Sequence, residues 1–546
     1  MSEIIRNSLF CRCCCRLGQN FRKWWHCGII GRAVDGLRKA WKFSGSYRNW
    51  LAFGAAKPAV ESSRYSRIMD RLRGFCLKLG NILRQSVFYK LLSAVSRGWQ
   101  WLAARSRILG FINKLSLHQW LLAAFAFYLP IEYIIRDTLS IPVLSSIWEE
   151  LFIIAAAILI IWRRALDQTR AIRRETPLDA WLILFFAVGF LLMSLVRPYP
   201  AVAVPGYRIV VEYMLWFFLI VRLVEDDRDM KVFLVSLGIM SSLLAMHGIY
   251  QYAVGVEIPS SWVSHSEMGV RTRVFSLTGS PNILGSLMVL TAPVVAALVY
   301  YLKRPLYKFL AFCLLGCYLL TLLFTFSRGA WVGLLVAVLI FAWLVDKRLL
   351  ALGGAAVAGV LVAAPSITSR LTFLFTEDYT MLSSTGGRAM RWQFGLDLLH
   401  ESNPWLGFGL GRFGGAVAME NQILDETEEF SYFYMDNYYL KTLVEMGYLG
   451  LIFYVLLIAA LLILGIKAVQ RSGNELAAVP GDPLVRGEGN MRLIAIGIYA
   501  GLCGVLVHCF FENIFEEPYM TAYFWGLAAL LMYLGFFRKG KKQSSQ

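Results

Sequence analysis

The sequence predicts an all-α integral membrane protein of about twelve transmembrane helices, on three observations. The 546-residue chain is 58% hydrophobic and 14% aromatic but only 16% charged, outside the range of soluble domains. Apolar runs of the length needed to cross hydrocarbon recur along it. The basic residues collect in alternate connections between those runs, as the positive-inside rule requires.

Taken in order, the apolar runs are 118–136, 141–162, 179–196, 205–223, 231–253, 280–302, 306–326, 329–346, 348–365, 437–466, 491–513 and 517–537. Placing the N-terminus in the cytoplasm puts Arg163–Arg174, Lys303–Arg304, Asp346–Arg348, the 467–492 connection and the tail 538–546 there as well. The opposite side then receives Val254–Gly279, the Ser327–Arg328 turn, a large loop 366–435 between the ninth and tenth spans, and Phe511–Pro518. Arginines on that side run against the charge bias and need a reason: Arg271, Arg273, Arg328, Arg388, Arg391 and Arg412. A multi-pass plasma-membrane protein with both termini cytoplasmic is therefore expected.

Residues 1–117 differ from the rest. They hold 22 Lys and Arg against 4 acids, a net +18 that equals the charge of the whole chain, so the remainder is balanced. No run there reaches spanning length, and Trp24, Trp25, Trp41, Trp50, Trp99 and Trp101 alternate with Arg and Lys. This suits amphipathic helices on an anionic cytoplasmic leaflet. Nucleic-acid binding uses the same residue types, but attachment to the spans makes lipid the nearer polyanion, and no nucleic-acid partner is expected. The first 30 residues lack the apolar segment of a signal peptide.

Cys11, Cys13, Cys14 and Cys15 cluster without the second pair that zinc spacing demands, and the acidic run Glu225–Asp229 reads as a solvated turn. No metal and no cofactor is expected. Gly407, Gly409 and Gly411 look superficially like a phosphate loop, but no strand precedes them and no Lys-Ser/Thr follows. Backbone turning and close packing is the expected role.

The loop 366–435 carries the most chemistry. Arg388 and Arg391, three apart on a helical segment, share a face and suit one diphosphate. Arg271 and Arg273 approach from the preceding outer connection, Asn282 follows Pro281 at the start of the sixth span, and Arg328 opens the eighth. Trp392 follows Arg391; Asp436 at the membrane edge is a candidate general base, with His400, His265 and His508 as other outer-face candidates. Glu445, two turns into the tenth span, is a costly group in a bilayer.

Several of these segments form an ordered set: Arg271-Thr-Arg273 before Ser280-Pro281-Asn282-Ile-Leu-Gly285, then Thr325-Phe-Ser327-Arg328-Gly329, Gly387-Arg388 with Trp392, Pro404-x-Leu-Gly407, and Asp436-Asn437 ahead of Glu445-x-Gly447-x-x-Gly450. The set resembles the O-antigen ligase and polymerase superfamily of bacterial membrane proteins, over about 118–537. The resemblance implies a GT-C-like glycosyltransferase that takes an undecaprenyl-diphosphate-linked glycan at the outer face. Such an enzyme extends the glycan or joins it to a cell-surface acceptor. It implies catalytic roles for Arg388, Arg391 and Asp436, and substrate contacts from Arg271, Arg273, Arg328, Asn282, Trp392, Asn437 and Glu445. The family commonly has His-Asn where this chain has Asp436-Asn437, a departure that tilts the expectation toward polymerase. A lipid-linked glycan flippase is the alternative of a different class.

Overall fold

A computed structural model describes scattered positions from 71 to 86 and then residues 87–106, 113–166, 175–196, 199–257, 272–363, 387–422, 433–472 and 491–538. Most of the basic N-terminal region, Arg271, His265, residues 366–386 and 423–432 of the 366–435 loop and the tail beyond 538 lie outside them. The chain divides into two units, Met1–Lys90 with Arg164–Arg173 and Leu91–Arg163 with Arg174–Gln546, and the site lies within the second.

The helices are α1 (Val87–Arg105), α2 (Leu117–Ala126), α3 (Tyr128–Tyr133), α4 (Pro142–Leu166), α5 (Asp179–Leu195), α6 (Pro200–Val211), α7 (Leu215–Leu223), α8 (Asp227–Val254), α9 (Pro281–Tyr301), α10 (Pro305–Phe324), α11 (Arg328–Leu344), α12 (Arg348–Ala363), α13 (Arg388–Glu401), α14 (Ala416–Asn421), α15 (Tyr438–Arg471), α16 (Met491–His508) and α17 (Pro518–Met532). No strand occurs among the described residues; an isolated bridge joins Asn403 and Gly407.

A helix lies at every apolar run read from the sequence, but among the described residues eight segments are long and apolar enough to cross a membrane: Val143–Arg164, Pro200–Leu223, Asp227–Val254, Pro281–Tyr301, Pro305–Phe324, Tyr438–Arg471, Met491–His508 and Pro518–Phe537. Shorter apolar helices lie at Leu117–Ala126, Asp179–Leu195 and Arg328–Leu344, and α12 has 16 residues. Pro130 explains why 118–136 is not one rod. It has no N–H for the Ala126 carbonyl, which instead accepts from the Tyr523 hydroxyl at 3.0 Å, while Leu129 N–H donates to that same hydroxyl at 3.1 Å.

Helices start and stop where local chemistry directs. Asp226 caps α8 by accepting from Arg228 and Asp229 N–H groups at 2.8 and 2.9 Å, and α8 ends at Gly255 with φ +74°. Helices α9, α10 and α17 carry Pro in their first turn, where its missing donor costs nothing. The core centres on α9, α16 and α17, whose side chains are almost all buried. Gly497 and Gly501 allow α16 to lie against the Pro293 and Leu290 carbonyls of α9, close small-residue packing of the kind that joins helices in lipid.

Helix α15 is broken at Gly447, with φ +64° and ψ −171°, a conformation essentially confined to glycine. The break removes the helical bonds from Tyr448 and Leu449 to the Val444 and Glu445 carbonyls. A loop from α13 supplies all four replacements: Tyr448 and Leu449 N–H donate to Pro404 and Trp405 carbonyls at 2.9 and 3.2 Å, and Phe408 and Gly409 N–H donate to Val444 and Glu445 carbonyls at 2.7 and 3.1 Å. Irregular backbone at membrane depth is tolerated only when satisfied in this way. A Cβ on Gly407 would strike the backbone of Gly447 and Glu445, so the glycines serve turning and close packing, as the sequence suggests. Gly447→Ala is expected to cost about 1–3 kcal/mol from backbone strain alone, read as a lowered unfolding temperature in detergent.

Candidate functional site

The first turn of α13 and the residue pair ahead of α15 build the centre of the site. Arg388 Nε lies 2.7 Å from Asp436 Oδ2, and the Trp392 indole N–H donates to Asp436 Oδ1 at 2.8 Å. Four residues separate Arg388 from Trp392, so one helical face delivers both to the carboxylate. Asp436 is fixed from both sides: Met435 N–H donates to Gly414 O at 2.9 Å and Tyr438 N–H to Cys509 O at 3.0 Å. Asn437 caps α15 by accepting from Leu440 N–H at 3.1 Å. Asp436 is buried, whereas the Arg388 side chain is 42% exposed and its terminal nitrogens have no bond among the described residues. A guanidinium held through Nε with free Nη groups is prepared for a bidentate anion.

A second chain of contacts reaches the same place from the start of α9. Arg273 is buried, donating from Nε to Thr325 O at 3.0 Å and from Nη2 to Asn282 Oδ1 at 3.1 Å. The Asn282 amide in turn donates to Glu512 Oε2. Glu512 stands in the connection between α16 and α17, outside both spans and within the field of Arg388 and Asp436. Burial pushes its carboxyl up, Arg388 opposes that, and the Asp436 charge adds to it. Below it, buried His508 shares a 2.5 Å hydrogen bond with Ser286, and Gly329 leaves room for its ring.

The structure thus brings together Arg388, Trp392, Asp436, Asn282 and Arg273. Arg391, on the same helix, has its guanidinium over the Phe433 ring, 5.7 Å from its centroid. Arg328 begins α11 and is itself engaged, and His400 is exposed at the far end of α13. Glu445 lies in an ion triad, in which Lys441 Nζ is 3.0 Å from Glu445 Oε2 and 3.2 Å from Glu516 Oε2. The free oxygens of the triad accept from Phe413 N–H at 3.2 Å and Ala416 N–H at 2.7 Å, so it ties α15, the glycine loop and the 509–517 connection together behind the site. Lys441 and Glu512 are the residues the sequence reading missed. The Lys441-x-x-x-Glu445 spacing is a signal for the first; no local pattern marks the second.

Glu517 adds a pH dependence. Burial, then the charges of Glu516 and Glu512, push its carboxyl from an ordinary 4.5 up to about 7. The folded state therefore binds this proton more tightly than the unfolded one. The resulting stability is present below the ordinary value and is lost as pH rises through about 7. Glu517→Gln is expected to flatten the fall in unfolding temperature between about pH 5 and about pH 8, measured by thermal scans in detergent.

Residues 311–455 match a family model described as O-Antigen ligase, which supports an assignment to that family. The matched stretch runs from α10 through the break in α15. It contains Arg328, Arg388, Trp392, Asp436 and Glu445, while Arg273, Asn282 and Glu512 lie beyond it. A search of curated proteins finds no relative of the chain.

Proposed function

We propose that this protein is a glycosyltransferase of cell-surface polysaccharide synthesis in the bacterial plasma membrane. In this reading it extends or ligates a glycan carried on undecaprenyl diphosphate, at the outer face. The observation that carries the proposal is Arg388, fixed by Asp436 through Nε, with terminal nitrogens that have no bond among the described residues. The match of residues 311–455 to an O-Antigen ligase family gives the reaction class.

Transfer from a diphosphate-linked sugar breaks the C1–O bond and leaves negative charge on the departing diphosphate. Arg388 meets that charge with two N–H groups, Arg391 and Arg328 approach from the same side of the membrane, and Arg273 orients Asn282 beneath them. The acceptor hydroxyl loses its proton to a carboxylate of the Asp436 and Glu512 pair. Helices α2–α3, α5, α11 and α12 complete a twelve-span, GT-C-like bundle, and the basic N-terminal region rests on anionic lipid of the inner leaflet.

The test is product analysis. Purified protein in proteoliposomes is supplied with lipid-linked glycan extracted from the cells that make it, and products are weighed by mass spectrometry. Longer lipid-linked glycan identifies a polymerase, and transfer to an added acceptor a ligase. An unchanged donor pool contradicts the proposal.

A further inference from the structure

We infer that Glu512, and not Asp436, takes the proton of the attacking hydroxyl, and that Asp436 is a positioning residue for Arg388 and Trp392. The inference rests on the transferase reading above and divides labour between the two carboxylates of one site.

Asp436 is committed on both oxygens to fixed donors: the Arg388 guanidinium at 2.7 Å and the Trp392 indole at 2.8 Å. Its counter-ion is the same guanidinium that must face the leaving diphosphate. Protonating Asp436 would dissolve that pair at the moment when Arg388 is needed, so the two duties conflict. Glu512 has no such conflict. Its partners are neutral, the Asn282 amide at Oε2 and Asn513 N–H at Oε1 at 3.3 Å, and no ion pair forms with it among the described residues. Its exposure is intermediate, whereas Asp436 is buried. Its anchor Asn282 is held by Arg273, which makes the Arg273–Asn282 chain a device for aiming this carboxylate. Burial raises the affinity of Glu512 for a proton, as a base acting near neutral pH requires.

The step balances within the site. The acceptor oxygen forms its bond to C1 of the donor sugar as its proton passes to Glu512. The C1–O bond to diphosphate breaks, and its electron pair leaves with undecaprenyl diphosphate against Arg388. The proton on Glu512 is then released to solvent.

The test uses full-length protein with the extracted lipid-linked glycan as donor, and undecaprenyl diphosphate alone as a binding probe. Glu512→Gln is expected to lower kcat roughly 10²-fold or more while donor KM and probe binding stay within about threefold. The fall in rate at acid pH should disappear from its residual activity. Asp436→Asn is expected to raise donor KM and weaken probe binding while keeping that acid limb. Glu512→Asp should restore part of the turnover and the limb, which separates loss of the carboxylate from loss of folding. A Glu512→Gln protein that turns over near the wild-type rate, a Glu512→Asp protein no better than Glu512→Gln, or an acid limb lost in Asp436→Asn instead, overturns the inference. In each of those cases wild-type transfer still stands. If wild type itself releases no undecaprenyl diphosphate, the transferase reading fails and this inference with it.

Discussion

Arg388→Ala is expected to lower glycan transfer by roughly 10³-fold, the scale on which a fixed cationic donor to a developing phosphate charge acts. The expectation follows from where the guanidinium is spent. One nitrogen is used on Asp436 and the other two are unbonded among the described residues, so the side chain contributes to a bound anion more than to the fold. Its 42% exposure points the same way, since truncating it opens no buried cavity. Unfolding temperature should fall less than in Lys441→Met, because a single buried carboxylate, Asp436, loses its cation and keeps the Trp392 indole donor. Arg388→Lys should recover little, because an ammonium cannot hold Asp436 through one nitrogen while offering a planar pair to phosphate. Transfer rates and thermal scans on the same preparations check both halves.

Lys441→Met is expected to have the largest effect on stability, about 3–5 kcal/mol, because it leaves two buried carboxylates without their shared cation. Lys441 and Glu445 are 5% and 3% exposed, and the Glu516 side chain is 9% exposed, so water cannot substitute for the ammonium. The damage would spread along the hydrogen bonds from Phe413 and Ala416, loosening the glycine loop that splices α15. Adding Glu445→Gln to Lys441→Met should recover part of the loss, since one stranded charge is then gone. Unfolding temperatures of wild type, single and double variants decide this; an unchanged single variant would show that the triad is solvated.

Much of this site was legible in the sequence because membrane proteins punish stray charge. Arginines on the side where basic residues are scarce pointed to Arg388 and Arg273, and a carboxylate at a span edge pointed to Asp436. What spacing could not give was pairing. Arg388 and Asp436 are brought together by the fold of the loop between them, and Glu512 meets Asn282 across 230 positions. Nor does the shared helical face of Arg388 and Arg391 reveal the contact of Arg391 with Phe433, 42 positions on. The break in α15 was hidden for another reason. A lone glycine at 447 in a long helical run does not mark a break, and the four backbone groups that the break frees find partners in the Pro404–Gly409 loop. Pro130 interrupts what the sequence presents as the single run 118–136, and the hydroxyl that repairs it, from Tyr523, lies 397 positions from Ala126.

The most direct measurement is release of undecaprenyl diphosphate from lipid-linked glycan by reconstituted wild-type and Arg388→Ala protein, with binding of undecaprenyl diphosphate followed in parallel. The account predicts release coupled to glycosidic bond formation in wild type, and both release and binding strongly reduced in the variant. Equal release by the two proteins, or glycan moved across the bilayer with its diphosphate bond intact, would contradict it.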